Sequence, residues 1–122
     1  MIELVSVRPG DFLFQENDEA DALYVVRAGT LDVMRGSTVY DTVTPGGIVG
    51  ELAIVDEGRR SASVLARTHS QLIKIDVPGF LDLVASEPEF ALVVMQVMAR
   101  RLRIMNYRYS DLSAAPGRTG NR

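Results

Sequence analysis

The 122-residue chain contains no cysteine, which excludes disulfides, thiolate metal sites and cysteine nucleophiles. It has one histidine, His69. A β-barrel metalloenzyme of the cupin kind needs several metal ligands, usually with two or more histidines among them. His69, in RTHSQ between two strand-like segments, therefore reads as a turn residue, and neither a metal nor a cofactor is expected. No apolar run approaches the ~20 residues of a membrane helix. The N-terminal MIELVSVRPG lacks the apolar stretch of a signal peptide, so a cytoplasmic location without membrane contact is the expectation. Positive charge is also scarce: 13 Lys and Arg stand against 16 Asp and Glu, a net charge of -3. A general nucleic-acid binder carries a basic excess on one face, which argues against DNA as a partner.

What remains is ordinary for a globular protein, with 47% hydrophobic and 24% charged residues. The length fits one domain that buries roughly two-thirds of its unfolded surface. Its first two-thirds reads as short strands separated by turn residues. FLF (12–14) follows the turn signal RPGD, and QENDEAD (15–21) is a polar connection in which Asn17 suits a left-handed turn. ALYVVRAGTLDVMRG (22–36) forms two strands broken at Ala28-Gly29, and Val39–Val43, SASVLA (61–66) and QLIKI (71–75) continue the series. Short strands with such punctuation predict a β sandwich or barrel. The pattern then turns helical. One helix is expected over Pro78–Ala85, with proline in its first turn, and a second from about Glu89 to Asp111. Ala91, Val94, Met98, Leu102, Met105, Tyr109 and Leu112 form one stripe on it; Phe90, Val93, Val97 and Ile104 form another. Two stripes predict a helix that serves two surfaces. Residues 1–112 are taken as the domain, and the small, polar 113–122 as a disordered tail.

The chemistry concentrates in PGGIVGELAIVDEGRRSASV (45–64). Closely spaced glycines let backbone amides approach a ligand, and amides at a turn or helix start favour anions. Arg60 offers a planar fork for phosphate oxygens, and Ser61 adds a hydroxyl beside it. Glu51 is an acceptor, unsuited to phosphate and suited to a sugar hydroxyl. The bland alternative is a surface Glu51–Arg60 pair contributing ~0–1 kcal/mol. Arg59 reads as solvent-facing.

This stretch resembles the phosphate-binding cassette of cyclic-nucleotide-binding domains, roughly F-G-E-L-A followed by P-R-x-A-[ST]-V. RPGDFLF and ENDEADALYVVRAGTLDV resemble that family's opening strands, and the likeness spans about residues 7 to 108. The resemblance implies a double-stranded β-helix, a jelly-roll-like β-roll, followed by a hinge helix and a long C-terminal helix that closes over ligand. It also implies that Gly50 allows close approach, Glu51 accepts from the ribose 2′-hydroxyl and Arg60 pairs with the cyclic phosphate. The amides of Ser61 and Ala62 would bind phosphate oxygens, with those of Leu52 and Ala53 joining in. Val49 replaces the usual aromatic and Arg59 a frequent proline; neither change removes a ligand contact. Ser61 resembles the serine of the bacterial catabolite activators, which implies cyclic AMP in preference to cyclic GMP.

No nucleophile, base and orienting group occur together, so no enzyme is expected. Met105, Tyr107 and Tyr109 are candidates for a lid on the base, with helix packing as their alternative role. The arginines at 100, 101, 103 and 108 read as a solvated helix face. About ten residues follow Leu112, so no helix-turn-helix is expected there. The Ala91–Leu112 stripe could pair with a second copy in a homodimer, and an effector protein would receive the signal. Two other functions compete with a cyclic-nucleotide receptor: an interaction module that keeps the roll but binds no nucleotide, and a DNA-binding regulator.

Overall fold

The computed structural model describes residues 2–55 and 58–113, with side chains described as far as Ile104. Eight strands come first: β1 (Ile2–Val7), β2 (Phe12–Phe14), β3 (Ala22–Ala28), β4 (Leu31–Arg35), β5 (Thr38–Val43), β6 (Ile48–Val49), β7 (Ser63–Ala66) and β8 (Ser70–Asp76). A four-residue helix, α1 (Leu52–Val55), interrupts them between β6 and β7; α2 (Val77–Ser86) and α3 (Glu89–Ser113) follow. Two four-stranded antiparallel sheets result, ordered β1-β8-β3-β6 and β2-β7-β4-β5. This is a β-roll followed by helices, as the sequence led us to expect.

Strand periodicity shows why the two layers need a third. Successive side chains of a strand point to opposite faces. On β3, Tyr24 and Val26 join Leu31, Val33, Val43, Val64 and Leu72 in a core between the sheets. Leu23 and Val25 point the other way, into a second cluster with Ile48, Ile75, Phe80, Phe90, Val94 and Met98. The first sheet is thus covered by the second sheet on one face and by α2 and α3 on the other. Burial on both faces explains why β3 reads as a nearly continuous apolar run rather than as an alternation.

Helix α2 starts where Asp76, in extended conformation, accepts a 2.9 Å hydrogen bond from the Gly79 amide, with Pro78 in the first turn. Asn17 takes the left-handed conformation, φ 73°, as its side chain tolerates. His69 is an exposed connector residue between β7 and β8.

The structure adds two strands that the pattern does not reveal. In β1, Ile2 and Leu4 are exposed while Val5 and Val7 turn inward, so both faces carry apolar residues and the alternation is blurred. Strand β6 has only two residues and owes its existence to pairing with Tyr24 and Val25. One expectation for α3 needs correction. Val94 is 2% exposed and belongs to its own chain's core, so it is not part of a stripe available to a second copy. The exposed apolar residues are instead Leu92, Val93, Met95 and Leu102. Of the tail expected over 113–122, Ser113 is instead the last residue of α3, and residues 114–122 lie outside the described residues.

Candidate functional site

Strand β6 delivers the chain to Gly50, whose φ of +74° is in the left-handed region. A Cβ at this position would lie 2.6 Å from Arg60 Nη1 and 3.2 Å from the Ala22 carbonyl. Glycine is therefore required here by both backbone and space. The turn leads into α1, whose first bonds run from the Ala53 amide to the Gly50 carbonyl and from the Ile54 amide to the Glu51 carbonyl, each at 3.2 Å. The Ala53 amide, a candidate ligand donor, is thus already engaged.

These residues border a cavity of about 210 Å³ between the sheets and α3. Gly50, Glu51, Leu52, Ala53, Arg60, Ser61 and Ala62 all line it, so one cavity collects every cassette residue singled out in the sequence. Met105, Tyr107 and Tyr109 lie outside the residues whose side chains are described. The helical residues that do line the cavity are Met98, Arg101 and Leu102. Arg59 is exposed, as expected, donates to the Asn17 carbonyl at 3.2 Å and borders the cavity as well.

Arg60 and Glu51 do not form a surface pair, because they are 6% and 5% exposed. The Arg60 guanidinium lies over the Phe14 ring, 4.0 Å from its centroid, with the Tyr24 ring 5.8 Å away. Its polar contacts are poor: a 3.4 Å bond to the Gly50 carbonyl and a 3.9 Å approach to Asp21, whose side chain is 72% exposed. Arg60 Nε is buried without a hydrogen-bond partner among the described residues. Burial pushes the Arg60 pKa down, offset in part by Tyr24, Asp21 and other negative groups. Buried polar groups are almost always satisfied, so an arginine held this way is set up for an anion.

Glu51 is occupied differently. Arg101 of α3 donates to Glu51 Oε1 at 2.6 Å, to the Ile48 carbonyl at 2.7 Å and, through Nε, to Asp41 Oδ2 at 2.9 Å. Arg100 reaches the same Asp41 oxygen at 2.7 Å. Burial pushes the Asp41 carboxyl up, but the hydrogen bonds from Arg101 and Arg100 outweigh it and hold it below the usual carboxylate range. The reading of these arginines as a solvated face is therefore wrong for Arg101, which is 9% exposed and ties α3 to the roll. The signal was present in the sequence. Val94, Val97 and Arg101 follow at spacings of three and four, which places Arg101 on the inward face of the helix. Asp41 shares its strand face with buried Val43, an acid in an apolar register.

Arg35, Arg59, Arg60 and Arg101 surround the cavity, with Glu51 as the one carboxylate among the described residues lining it, in a chain of net charge -3. Arg35 Nε donates to the Ser61 carbonyl at 3.1 Å, which braces the cassette from β4. Val33, Tyr40, Val49 and Val64 supply an apolar wall, and burial raises the Tyr40 pKa. The site combines a buried cation, a carboxylate and an apolar surface large enough for part of a nucleoside.

Residues 4–87 match the cyclic nucleotide-binding domain family. The chain belongs to that family. It is 29% identical over 116 residues to a CRP-like cAMP-activated global transcriptional regulator of Mycobacterium tuberculosis, covering 89% of this chain and 52% of the regulator. It is 29% identical over 107 residues to a lysophospholipase of Neurospora crassa, covering 84% of this chain and 7% of the lysophospholipase. Among solved structures, the catabolite activator protein of Thermus thermophilus superposes with a TM-score of 0.80 at 28% identity, over 92% of this chain and 55% of that one. This cyclic nucleotide-binding domain thus spans about half the length of the two regulators and a small fraction of the lysophospholipase.

Proposed function

We propose that this domain is a non-enzymatic receptor for a cyclic nucleotide, with cyclic AMP preferred over cyclic GMP. The supporting observation is Arg60, a buried guanidinium whose Nε has no partner among the described residues, in a cavity lined by both ends of the cassette. Arg60 pairs with the cyclic phosphate, assisted by the Ser61 and Ala62 amides. Glu51 accepts from the ribose 2′-hydroxyl, and Gly50 leaves room for the sugar-phosphate ring. Leu52 contributes its amide at the start of α1; Ala53 contributes wall rather than a donor, since its amide is engaged. Ser61 governs base preference, and Met98 and Leu102 join Met105, Tyr107 and Tyr109 as lid candidates.

Ligand-linked movement of α3 follows from the shared carboxylate. Ribose and Arg101 both call on Glu51, so occupancy of the site changes how firmly Arg101 holds the helix. The output is a changed α3 surface read by an effector protein or by a second copy of the chain. Leu92, Met95 and Leu102 are exposed on α3 and, with Ala99, recur at spacings of three and four, the repeat that pairs helices into coiled coils. We place the homodimer contact on this stripe.

Thermal unfolding with cyclic AMP, cyclic GMP and AMP tests the receptor reading. Binding at one hundred times Kd stabilises a folded protein by ~2.7 kcal/mol, so both cyclic compounds should raise the midpoint, cyclic AMP at the lower concentration. AMP should act only at much higher concentration. A midpoint that ignores both cyclic nucleotides defeats the proposal and leaves an interaction module on the same roll.

A further inference from the structure

We propose that Phe14 is a positioning residue of the anion site: its ring face carries Arg60 and holds the guanidinium ready for phosphate before ligand arrives. This rests on the reading of Arg60 as the cyclic-phosphate ligand. Arg60 Cζ sits 4.0 Å from the Phe14 centroid, within the ~6 Å range of a cation–π contact. The Tyr24 ring lies 5.9 Å from that of Phe14, tilted by 36°, and forms a second wall. Phe14 pairs with Val64 across β2 and β7, and β7 starts three residues after Arg60. The ring and the arginine are therefore linked through one short strand pairing.

The choice of an aromatic support has a chemical consequence. A carboxylate would hold Arg60 equally well but would consume the donors and charge that phosphate requires. A ring face binds the flat side of the guanidinium, and the N–H donors remain in its plane. The nearest carboxylate among the described residues, Asp21, is at 3.9 Å and mostly exposed. Gly50 completes the arrangement. A Cβ there would meet Arg60 Nη1 at 2.6 Å and Phe14 Cε2 at 3.3 Å, so glycine, ring and guanidinium are packed together. Arg60 is thereby immobilised in advance, which removes an ordering cost from binding.

The test compares cyclic AMP affinity by titration calorimetry in the unmodified protein and in Arg60→Ala, Phe14→Leu and Phe14→Tyr, alongside the ¹H–¹⁵N resonance of Arg60 Nε. Leucine keeps an apolar contact without a π face. Phe14→Leu should lower affinity roughly tenfold, while Phe14→Tyr stays near the unmodified value. Ring current should shift the Arg60 Nε–H proton upfield in the unmodified and Phe14→Tyr proteins but not in Phe14→Leu. If Phe14→Leu does not fold, Phe14→Met replaces it, and the resonance of the unmodified protein still reports the stack. Unchanged affinity in Phe14→Leu, equal losses in the leucine and tyrosine variants, or an unshifted proton would each overturn the proposal. Cyclic AMP that fails to bind the unmodified protein instead overturns the reading of the site, a result distinct from binding that depends on Arg60 and ignores Phe14.

Discussion

At the scale of single residues, Arg60 and Glu51 differ in what already holds them. Arg60 is stacked and nearly unbonded in its polar plane; Glu51 is claimed by Arg101. Under the proposed function, phosphate would meet a free donor, whereas a ribose hydroxyl would share its acceptor. Charge-assisted hydrogen bonds contribute about 1.5–3 kcal/mol, so Arg60→Ala should weaken cyclic AMP binding at least roughly tenfold, the equivalent of ~1.4 kcal/mol. Arg60→Lys should restore little of this, because an ammonium lacks the planar fork and stacks less well. Competition against a fluorescent cyclic nucleotide measures both, and a lysine variant that binds like the unmodified protein would assign Arg60 the role of a point charge only. The cassette was legible in the sequence because its residues lie within a short stretch. Phe14 and Tyr24 were not, because the roll brings them in from distant strands; Arg101 and Asp41 each sit in an apolar register, but only the fold shows that the two registers meet.

At the scale of elements, α3 is held by two different kinds of contact. Its first half packs Phe90, Val94, Val97 and Met98 into the cluster over β3 and β8. Further along, Arg100 and Arg101 reach Asp41, Glu51 and the Ile48 carbonyl. Removing one member of a buried ion pair typically costs ~3–5 kcal/mol. Glu51 lines the cavity rather than the packed core, so Arg101→Ala should sit at or below the low end of that range, about 2–3 kcal/mol. Hydrogen exchange should show the loss as reduced protection in α3 with β3 and β8 nearly unchanged; uniform loss across the sheets would show that α3 is not a separable element.

Asp41 adds a pH dependence to the same helix. Its folded pKa is lowered, so its stabilising contribution is present above the unfolded carboxyl value of ~3.9. It is lost as pH falls through the lowered folded value. Asp41→Asn should therefore destabilise the protein at neutral pH and flatten the acid limb of its stability curve, as read from denaturant melts between pH 2 and 7. Equal slopes in the two proteins would remove Asp41 from the acid response. Element positions were well anticipated wherever apolar runs and turn signals coincide, as at β3, β4 and α2. Strand β1 was missed because both its faces carry apolar residues, and β6 because a two-residue strand has no period to detect.

At the scale of the whole molecule, the acidic chain directs several of its arginines to one cavity while leaving an apolar row on α3. The domain class could be read before any coordinates, since the cassette and its flanking strands follow one another in order along the sequence. The partner-facing side of α3 could not, because the start of this helix is apolar all round and Leu92 and Met95 belong to neither stripe; burial alone separates them from Val94. If that row pairs copies of the chain, Met95→Glu should shift sedimentation from dimer to monomer and leave the far-ultraviolet circular dichroism unchanged. A monomer at high concentration in the unmodified protein would reject the dimer contact. The central claim is that a cyclic nucleotide binds in this cavity through Arg60. The most direct test is calorimetric titration of cyclic AMP into the unmodified protein and Arg60→Ala: saturable one-site binding that weakens at least tenfold in the variant is the predicted result, and equal affinity in the two proteins, or no binding to the unmodified one, would contradict it.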